Sequence, residues 1–307
     1  MLLSICIPTY NGGNRIKECL ERVFEATKYR NDVEVIVSDN GSTDNTNEII
    51  NSYLGIPHYY VYRNLKNLGF FANIKMLVDS YAKGRYCWII GDDDYIDIDA
   101  IDKLCYVLKK HNPMFISINH RNLNPQEFRD FKIDENRSLE YKQLSYFACI
   151  DENVSSSNVL GTFMSSQVFL LEKIRSFDKS IFSVNTWSDF QNTFPNSYMM
   201  TSVFYNSSEC CCIKTPLITA ITHLKAWNDK MSLIVNNILP DYYSYCISLN
   251  KEPKELIKTN RVIRETIIKE NLLLIRRKNF SQVRWRNMID YLFIKMIFNK
   301  IKRIYTK

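Results

Sequence analysis

The first 120 residues alternate strand-like and helix-like segments, and that alternation restricts the fold more than any other feature of the chain. Leu3-Ser4-Ile5-Cys6-Ile7 is an apolar run stopped by Pro8. Val33–Val37, Tyr59–Tyr62, Tyr86–Ile90 and Met114–Ile118 are further runs of the same kind. Between them, apolar residues recur at three- and four-residue spacing. One stripe is Ile16, Cys19, Leu20, Val23 and Phe24 with Thr27; a second is Phe70, Phe71, Ile74, Leu77, Val78 and Tyr81; a third is Ile101, Leu104, Cys105 and Leu108. Short apolar runs bounded by turn residues read as buried strands, and a 3.6-residue apolar period reads as a helix with one face on a core. Ser42 or Thr43 is placed to cap a helix running to about Tyr53, and Gly84 to end the helix before the fourth strand in a left-handed cap. The order β-α-β-α-β-α-β predicts an α/β fold, a mostly parallel sheet flanked by helices on both faces.

In such sheets ligands bind beyond the carboxyl ends of the strands. Three polar clusters stand at those ends: Thr9-Tyr10-Asn11, Asp39-Asn40 and Asp92-Asp93-Asp94. Three adjacent carboxylates repel one another and raise each other's pKa unless something relieves them. A divalent cation does so. Mg²⁺ or Mn²⁺ takes oxygen ligands, commonly one or two carboxylates plus the phosphates of a substrate, and neutralises charge on a leaving diphosphate. Two plainer readings compete: an acidic surface turn, and a capped helix start running on through Tyr95-Ile96-Asp97-Ile98-Asp99. Asn11 also reads as a turn residue, Asp39 as an Asx-turn residue, and Asp44 as a helix N-terminal charge.

Four segments in order, Ile7-Pro8-Thr9-Tyr10-Asn11, Val37–Asp44, Asn64–Phe70 and Ile90–Asp94, resemble the inverting glycosyltransferases of family 2, which have the GT-A (Rossmann-like) fold. The resemblance covers about residues 1–110. Its wording is most similar to transferases of O-antigen and capsule assembly, such as abequosyltransferases. It implies that Pro8, Thr9, Tyr10 and Asn11 line the nucleotide, with Thr9 and Tyr10 on the base and ribose. Asp39 would bond the base, with Asn67 near it; Asp92 would contact the ribose, and Asp93 would hold the metal. Gly91 stands where the family usually has the first aspartate of D-x-D-D, which leaves open whether Asp93, Asp94 or both ligate the cation. Gly12-Gly13 also replace a usual charged residue.

Inversion requires a general base on the acceptor side. Asp189 in Thr186-Trp187-Ser188-Asp189-Phe190 is the first candidate, with Trp187 placed to stack on a sugar; a helix-capping aspartate is the equal alternative. Asp151-Glu152 come second, and His223 is a candidate late metal ligand. Residues 121–225 are irregular, with strands expected at Val159–Met164 and Cys212–Ile218, and the chain is mostly helical from about Trp227. The expected division is a nucleotide-sugar-binding half at 1–120, an acceptor-binding half at 121–225 and a helical region at 226–307.

Charge is unevenly spread. Residues 251–307 carry a net +11 and the first 250 a net −4. Trp285, Met288, Ile289, Leu292, Phe293, Met296, Ile297, Ile301 and Ile304 recur at helical spacing among Arg284, Arg286, Lys295, Lys302 and Arg303. Such a basic amphipathic helix suits an anionic bilayer, or packs on the body with its basic side in water. No recognised nucleic-acid motif accompanies the charge. Nine cysteines with no CxxC argue for free thiols and against a zinc ribbon. The N-terminus lacks a signal-peptide pattern, and no segment has the ~18 uninterrupted apolar residues of a membrane span.

The expectation is therefore a metal-dependent transferase moving a sugar from a nucleotide-sugar donor to a glycan or polyprenyl-diphosphate-linked acceptor. It would be cytoplasmic, or peripheral on the cytoplasmic face of the inner membrane. A non-catalytic nucleotide- or glycan-binding module is the alternative. A nucleotidyltransferase is disfavoured for want of a glycine-rich basic loop.

Overall fold

The computed structural model describes residues 1–134, 137–155, 158, 161–183, 189–221, 230–249 and 256–276. Leu3–Thr9 (β1), Val33–Asp39 (β2), Tyr59–Arg63 (β3) and Tyr86–Ile89 (β4) pair in parallel, in the spatial order β3-β2-β1-β4. They are linked by helices Gly13–Thr27 (α1), Thr46–Asn51 (α2) and Phe70–Met76 (α3), the last continued by a π-helical turn, Leu77–Tyr81. Every residue of β1 and β2 is buried. Their side chains alternate between two cores: Leu3, Ile5 and Ile7 meet Ile16, Leu20 and Val23 of α1 on one side, while Cys6 and Ile36 meet Ile74, Leu77 and Val78 on the other. A strand covered on both faces has to be apolar almost throughout, which is why these runs stand out in the sequence.

The second half widens the sheet. In chain order it adds Asp94–Ile96 (β5), Ala100–His111 (α4), Phe115–Leu123 (β6), Pro125–Asp130 (α5), Tyr141–Leu144 (β7) and Tyr146–Glu152 (α6). A 3₁₀ turn at Met164–Ser166 then precedes Gln167–Leu170 (β8), Leu171–Arg175 (α7), Phe190–Thr193 (α8), Pro195–Phe204 (α9) and Cys210–Ile221 (β9). The full order is β3-β2-β1-β4-β8-β6-β9-β5, with β7 also on β9. β8 joins β4 and β6 antiparallel, and β6 runs parallel to β9. β6 crosses residue 120, so one sheet continues through the expected boundary between the two halves. Met231–Leu233 (α10), a π-helical turn at Ile234–Ile238, Leu239–Leu249 (α11) and Ile257–Arg276 (α12) form the helical C-terminal region.

Several local expectations are corrected. Ser42 and Thr43 do not cap α2: its N-cap is Asn45, and the Asp44 carboxylate accepts from Thr46 N at 3.0 Å in the first turn. Gly84 is not a left-handed cap. It lies against β1, where a Cβ would fall 2.5 Å from Ser4 N. The segment after the aspartates is strand β5, not a helix start, and α4 begins only at Ala100. Of Val159–Met164, the described part holds Gly161 at φ +70° and the start of the 3₁₀ turn, so the strand falls later, at β8. Trp187, His223 and the amphipathic tail lie outside the described residues.

Candidate active site

The carboxyl ends of β1, β2 and β4 lie side by side. Thr9 and Asp39 are register partners, and Asn40 N donates to Thr9 O at 2.9 Å. The aspartate triplet follows β4. The topology thus brings Thr9, Asp39 and Asp92–Asp94 to one edge of the sheet.

The three aspartates occupy three environments. Asp92 accepts from Thr9 Oγ1 at 2.6 Å, and its Oδ2 is 3.6 Å from Arg15 Nη2. Burial pushes its carboxyl upward, while the Thr9 hydroxyl and the Arg15 guanidinium draw it back. Asp93 is exposed. Asp94 is buried, accepts from Ser165 Oγ at 2.5 Å, and is pushed up to about 8 by its burial and by the neighbouring Asp93 charge. The Gly91 position explains itself here. A Cβ at residue 91 would lie 2.8 Å from Asp94 Oδ2 and 3.0 Å from Asp93 Oδ1, so a side chain there would collide with the other two carboxylates. Gly12 is constrained in the same way: its Cβ would fall 2.4 Å from Thr9 Oγ1 and 2.7 Å from Asp92 Oδ2.

Asp39 is fully buried. Its Oδ1 accepts from Ser42 N at 2.9 Å and from Ser42 Oγ at 2.5 Å. Its Oδ2 has Arg63 Nε 3.2 Å away, without hydrogen-bond geometry, and is left with no hydrogen bond. A buried carboxylate oxygen in that state has capacity for a donor from a ligand. The β3–α3 loop is tied to this edge by asparagines. Asn40 Nδ2 donates to Asn67 Oδ1 at 2.9 Å and to Gly69 O at 3.1 Å, and Asn40 Oδ1 accepts from Asn64 Nδ2 and Leu68 N, each at 3.0 Å. Asn73 accepts from Ser38 Oγ at 2.6 Å and anchors the same network. Gly41, at φ +75°, lets the chain pass the loop: a Cβ there would lie 2.7 Å from the Lys66 carbonyl carbon.

Pro8 is buried within β1, Tyr10 is exposed at its end, and Asn67 is exposed while its side-chain oxygen holds the loop. Asn11 sits at φ +50°, its N–H donating to Ser42 Oγ and its Oδ1 accepting from Thr43 N, each at 2.9 Å. It joins two strand-end loops, as a turn residue does. Arg15, Asn73 and Ser165 were missed by the sequence reading, which placed Asn40 in a strand-end cluster and Asn64 in a motif without giving either a role.

In the second half, Asp189 is the N-cap of α8: its Oδ1 accepts from Asn192 N at 2.9 Å, and both oxygens accept from Asn192 Nδ2 at 3.0 Å. It is exposed nonetheless. Asp151 and Glu152 are both engaged by neighbouring elements. Asp151 accepts from Thr259 N at 2.7 Å, at the start of α12. Glu152 is held down to about 2 by Lys142 and Lys258, with Lys214 3.1 Å away. Such a carboxylate is a weak base.

The donor set at the sheet edge is oxygen-rich and anionic, with Asp93 Oδ1 and Asp94 Oδ2 converging beside Gly91, which fits a hard divalent cation. Among the described residues no three acidic, His or Cys side chains form a complete cation cage. A cation completing its shell with substrate phosphates and water does not need one.

The sequence model of glycosyl transferase family 2 matches residues 4–166, more than half of the chain. The chain belongs to family 2 of the glycosyltransferases. An abequosyltransferase of Salmonella typhimurium is 28% identical over 282 residues, spanning 88% of this chain and 81% of the relative. Among solved structures, residues 1–349 of Staphylococcus aureus TarS in complex with UDP superpose with a TM-score of 0.57 at 16% identity, covering 88% of this chain and 71% of that fragment. A mannosyltransferase of Pyrobaculum calidifontis, in complex with GDP-Man and Mn²⁺, gives 0.58 at 13% identity, covering 99% and 87%. This family 2 glycosyltransferase therefore shares the GT-A-type fold of those enzymes. No helix among its described residues is long and apolar enough to cross a membrane.

Proposed function

We propose that this family 2 glycosyltransferase moves a hexosyl or deoxyhexosyl group, with inversion, from a nucleotide-sugar donor to a glycan or polyprenyl-diphosphate-linked acceptor in surface-polysaccharide assembly. The observation that carries the reading is the meeting at one sheet edge of a buried Asp39 with an oxygen free of hydrogen bonds, the Thr9–Asp92 pair and an exposed Asp93. The Salmonella relative, by its name an abequosyltransferase, favours a deoxyhexose donor.

In this reading residues 1–120 bind the donor and 121–225 face the acceptor. Asp39 Oδ2 accepts from the base, and Pro8, Thr9, Tyr10, Asn11 and Asn67 shape the nucleotide cleft. Asp92, kept in place by Thr9 and Arg15, takes the ribose hydroxyls. Asp93 holds the cation, and Asp94 supports the turn from beneath through Ser165. A bound Mg²⁺ or Mn²⁺ neutralises charge developing on the leaving phosphate. Asp189 accepts the acceptor hydroxyl proton as the oxygen bonds to the anomeric carbon. The bond from that carbon to the phosphate oxygen breaks from the opposite face, and the nucleotide leaves with the electron pair. Asp189 caps its helix, which fixes the carboxylate where a flexible side chain would wander.

The test uses the full chain with Mn²⁺, a panel of nucleotide sugars, and release of free nucleotide as the readout. Turnover of one donor, lost by more than about 100-fold in Asp93→Ala and abolished by EDTA, is expected. Asp189→Asn, which keeps the cap, should retain nucleotide binding while losing transfer. Turnover unaffected by Asp93→Ala would defeat the cation assignment, and full transfer by Asp189→Asn would defeat the base assignment.

A further inference from the structure

The β3–α3 loop has a second property that nucleotide binding does not use. Asn64 and Asn67 are tied by their side chains to Asn40, and the apolar residues around them are left exposed. Leu65 is fully exposed, and Leu68 and Phe70 are exposed as well. Leucine and phenylalanine on a loop would ordinarily fold back onto the body; here the Asn40 and Asn73 network fixes the backbone so that they cannot. The next residue, Phe71, packs on Phe182 with ring centroids 4.1 Å apart, and Ile181 beside Phe182 is exposed too. The Phe71–Phe182 contact thus connects the loop with the segment that carries Ile181. Clustered exposed apolar side chains mark contacts with a membrane or another macromolecule.

Charge selects the partner. Arg63, Lys66 and Lys75 are exposed around the loop; Arg63 pairs with the buried Asp39 at 3.2 Å, and Lys75 with Asp79 at 3.4 Å, which also takes Lys179 at 2.9 Å. Lys66 stands between Leu65 and Leu68, and these four cations outnumber the two acids, so the apolar side chains sit in a net positive surround that complements an anionic lipid surface, where they enter the headgroup boundary. The chain's own basic segment after residue 276 is a poorer occupant, because it would bring like charge onto the same loop. We infer that the apolar tip of the β3–α3 loop (Leu65, Leu68 and Phe70), with Arg63, Lys66 and Lys75, docks the protein on an anionic bilayer, with the sheet-edge cleft facing the lipid. This inference does not rest on the donor or base assignments, because its readout is lipid binding alone.

The experiment is cosedimentation of the full chain with vesicles of phosphatidylcholine alone, or with about 30% phosphatidylglycerol. The parent should bind the anionic vesicles at least about tenfold more tightly than the neutral ones. A triple variant, Leu65→Ser with Leu68→Ser and Phe70→Ser, should lose about tenfold in that binding. Its melting temperature should stay close to the parent's, since all three side chains are exposed. Lys66→Gln with Lys75→Gln should weaken anionic binding and leave neutral binding alone. Parent-like binding by the triple variant would overturn the inference. So would equal binding to both lipid mixtures, or a loss confined to Trp285→Ser with Phe293→Ser in the tail.

Discussion

At the residue scale, the site is governed by how far each carboxylate is removed from water. Asp93 projects into solvent, Asp92 is steadied by a hydroxyl and a guanidinium, and Asp94 has only Ser165 and its own turn. Asp94 therefore binds a proton near neutrality when folded, with a pKa of about 8 against an ordinary carboxyl of 3.8. Between those values the folded chain holds more protons than the unfolded one, so stability falls as pH rises through that window. Asp94→Asn keeps the shape and accepts from Ser165 without the charge. In EDTA it should melt several degrees above the parent at pH 8 and about level with it near pH 4, as calorimetric scans would measure. An identical pH slope in parent and variant would contradict this account. Gly12→Ala is a second residue-scale prediction. Its methyl would intrude on the Thr9–Asp92 bond, so nucleotide affinity by calorimetry should fall about tenfold or more.

At the element scale, the β3–α3 loop is ordered by side chains and not by a regular backbone ladder. Asn40, buried, makes hydrogen bonds to Asn64, Asn67, Leu68 and Gly69. Asn40→Ala should cost about 1–2 kcal/mol in urea unfolding, because it removes four hydrogen bonds made by a buried side chain to partners nearer the surface. Amide exchange should quicken at Leu68 and Gly69; unchanged protection there would show that the loop stands without Asn40. This loop also marks the limit of what could be read in advance. β1, β2 and β4 were legible because both faces are buried and nearly every residue is apolar. Thr9, Asp39 and Asp92 were legible because each stands at or just past the end of such a run. β5 was not, since a three-residue strand beginning at an aspartate has no period to detect. β8 was misplaced because Val-Leu-Gly-Thr-Phe-Met has strand composition, but Gly161 takes a left-handed turn within it. Arg15 and Ser165 were invisible because only the folded sheet brings them to Asp92 and Asp94.

At the scale of the whole molecule, a largely buried ionic network around Asp97 stands behind the sheet edge that carries the aspartates. β9 runs from Ile213 to Ile218 while β6 advances only from Ile118 to His120, so β9 bulges around Pro216, and beyond it Ile218–Ala220 pair with β6 on one side and β5 on the other. Arg121 Nη2 and Arg137 Nη1 donate to the Pro216 carbonyl at 2.8 and 2.7 Å, holding that bulge. Asp97, itself buried, pairs with both arginines, at 2.8 Å from Arg121 Nη1 and 2.9 Å from Arg137 Nη2, and Asp99 accepts from Arg137 Nε at 3.1 Å as the second acid of the network. Asp97 lies just past β5, three residues beyond Asp94, so the network fixes the far end of the segment that carries the metal-ligand candidate. Removing one member of a buried ion cluster leaves the others uncompensated, which costs about 3–5 kcal/mol. Asp97→Ala should therefore lose about 3 kcal/mol in urea unfolding and, under conditions where it is still folded, bind nucleotide several-fold more weakly. Glu18→Ala removes the exposed Arg22–Glu18 pair at 3.4 Å on the helix between β1 and β2, and should change neither quantity measurably. Equal effects from the two variants would mean that the second half carries the donor edge passively. A deficit confined to Asp97→Ala would mean that the edge is positioned by charges buried some distance from the chemistry.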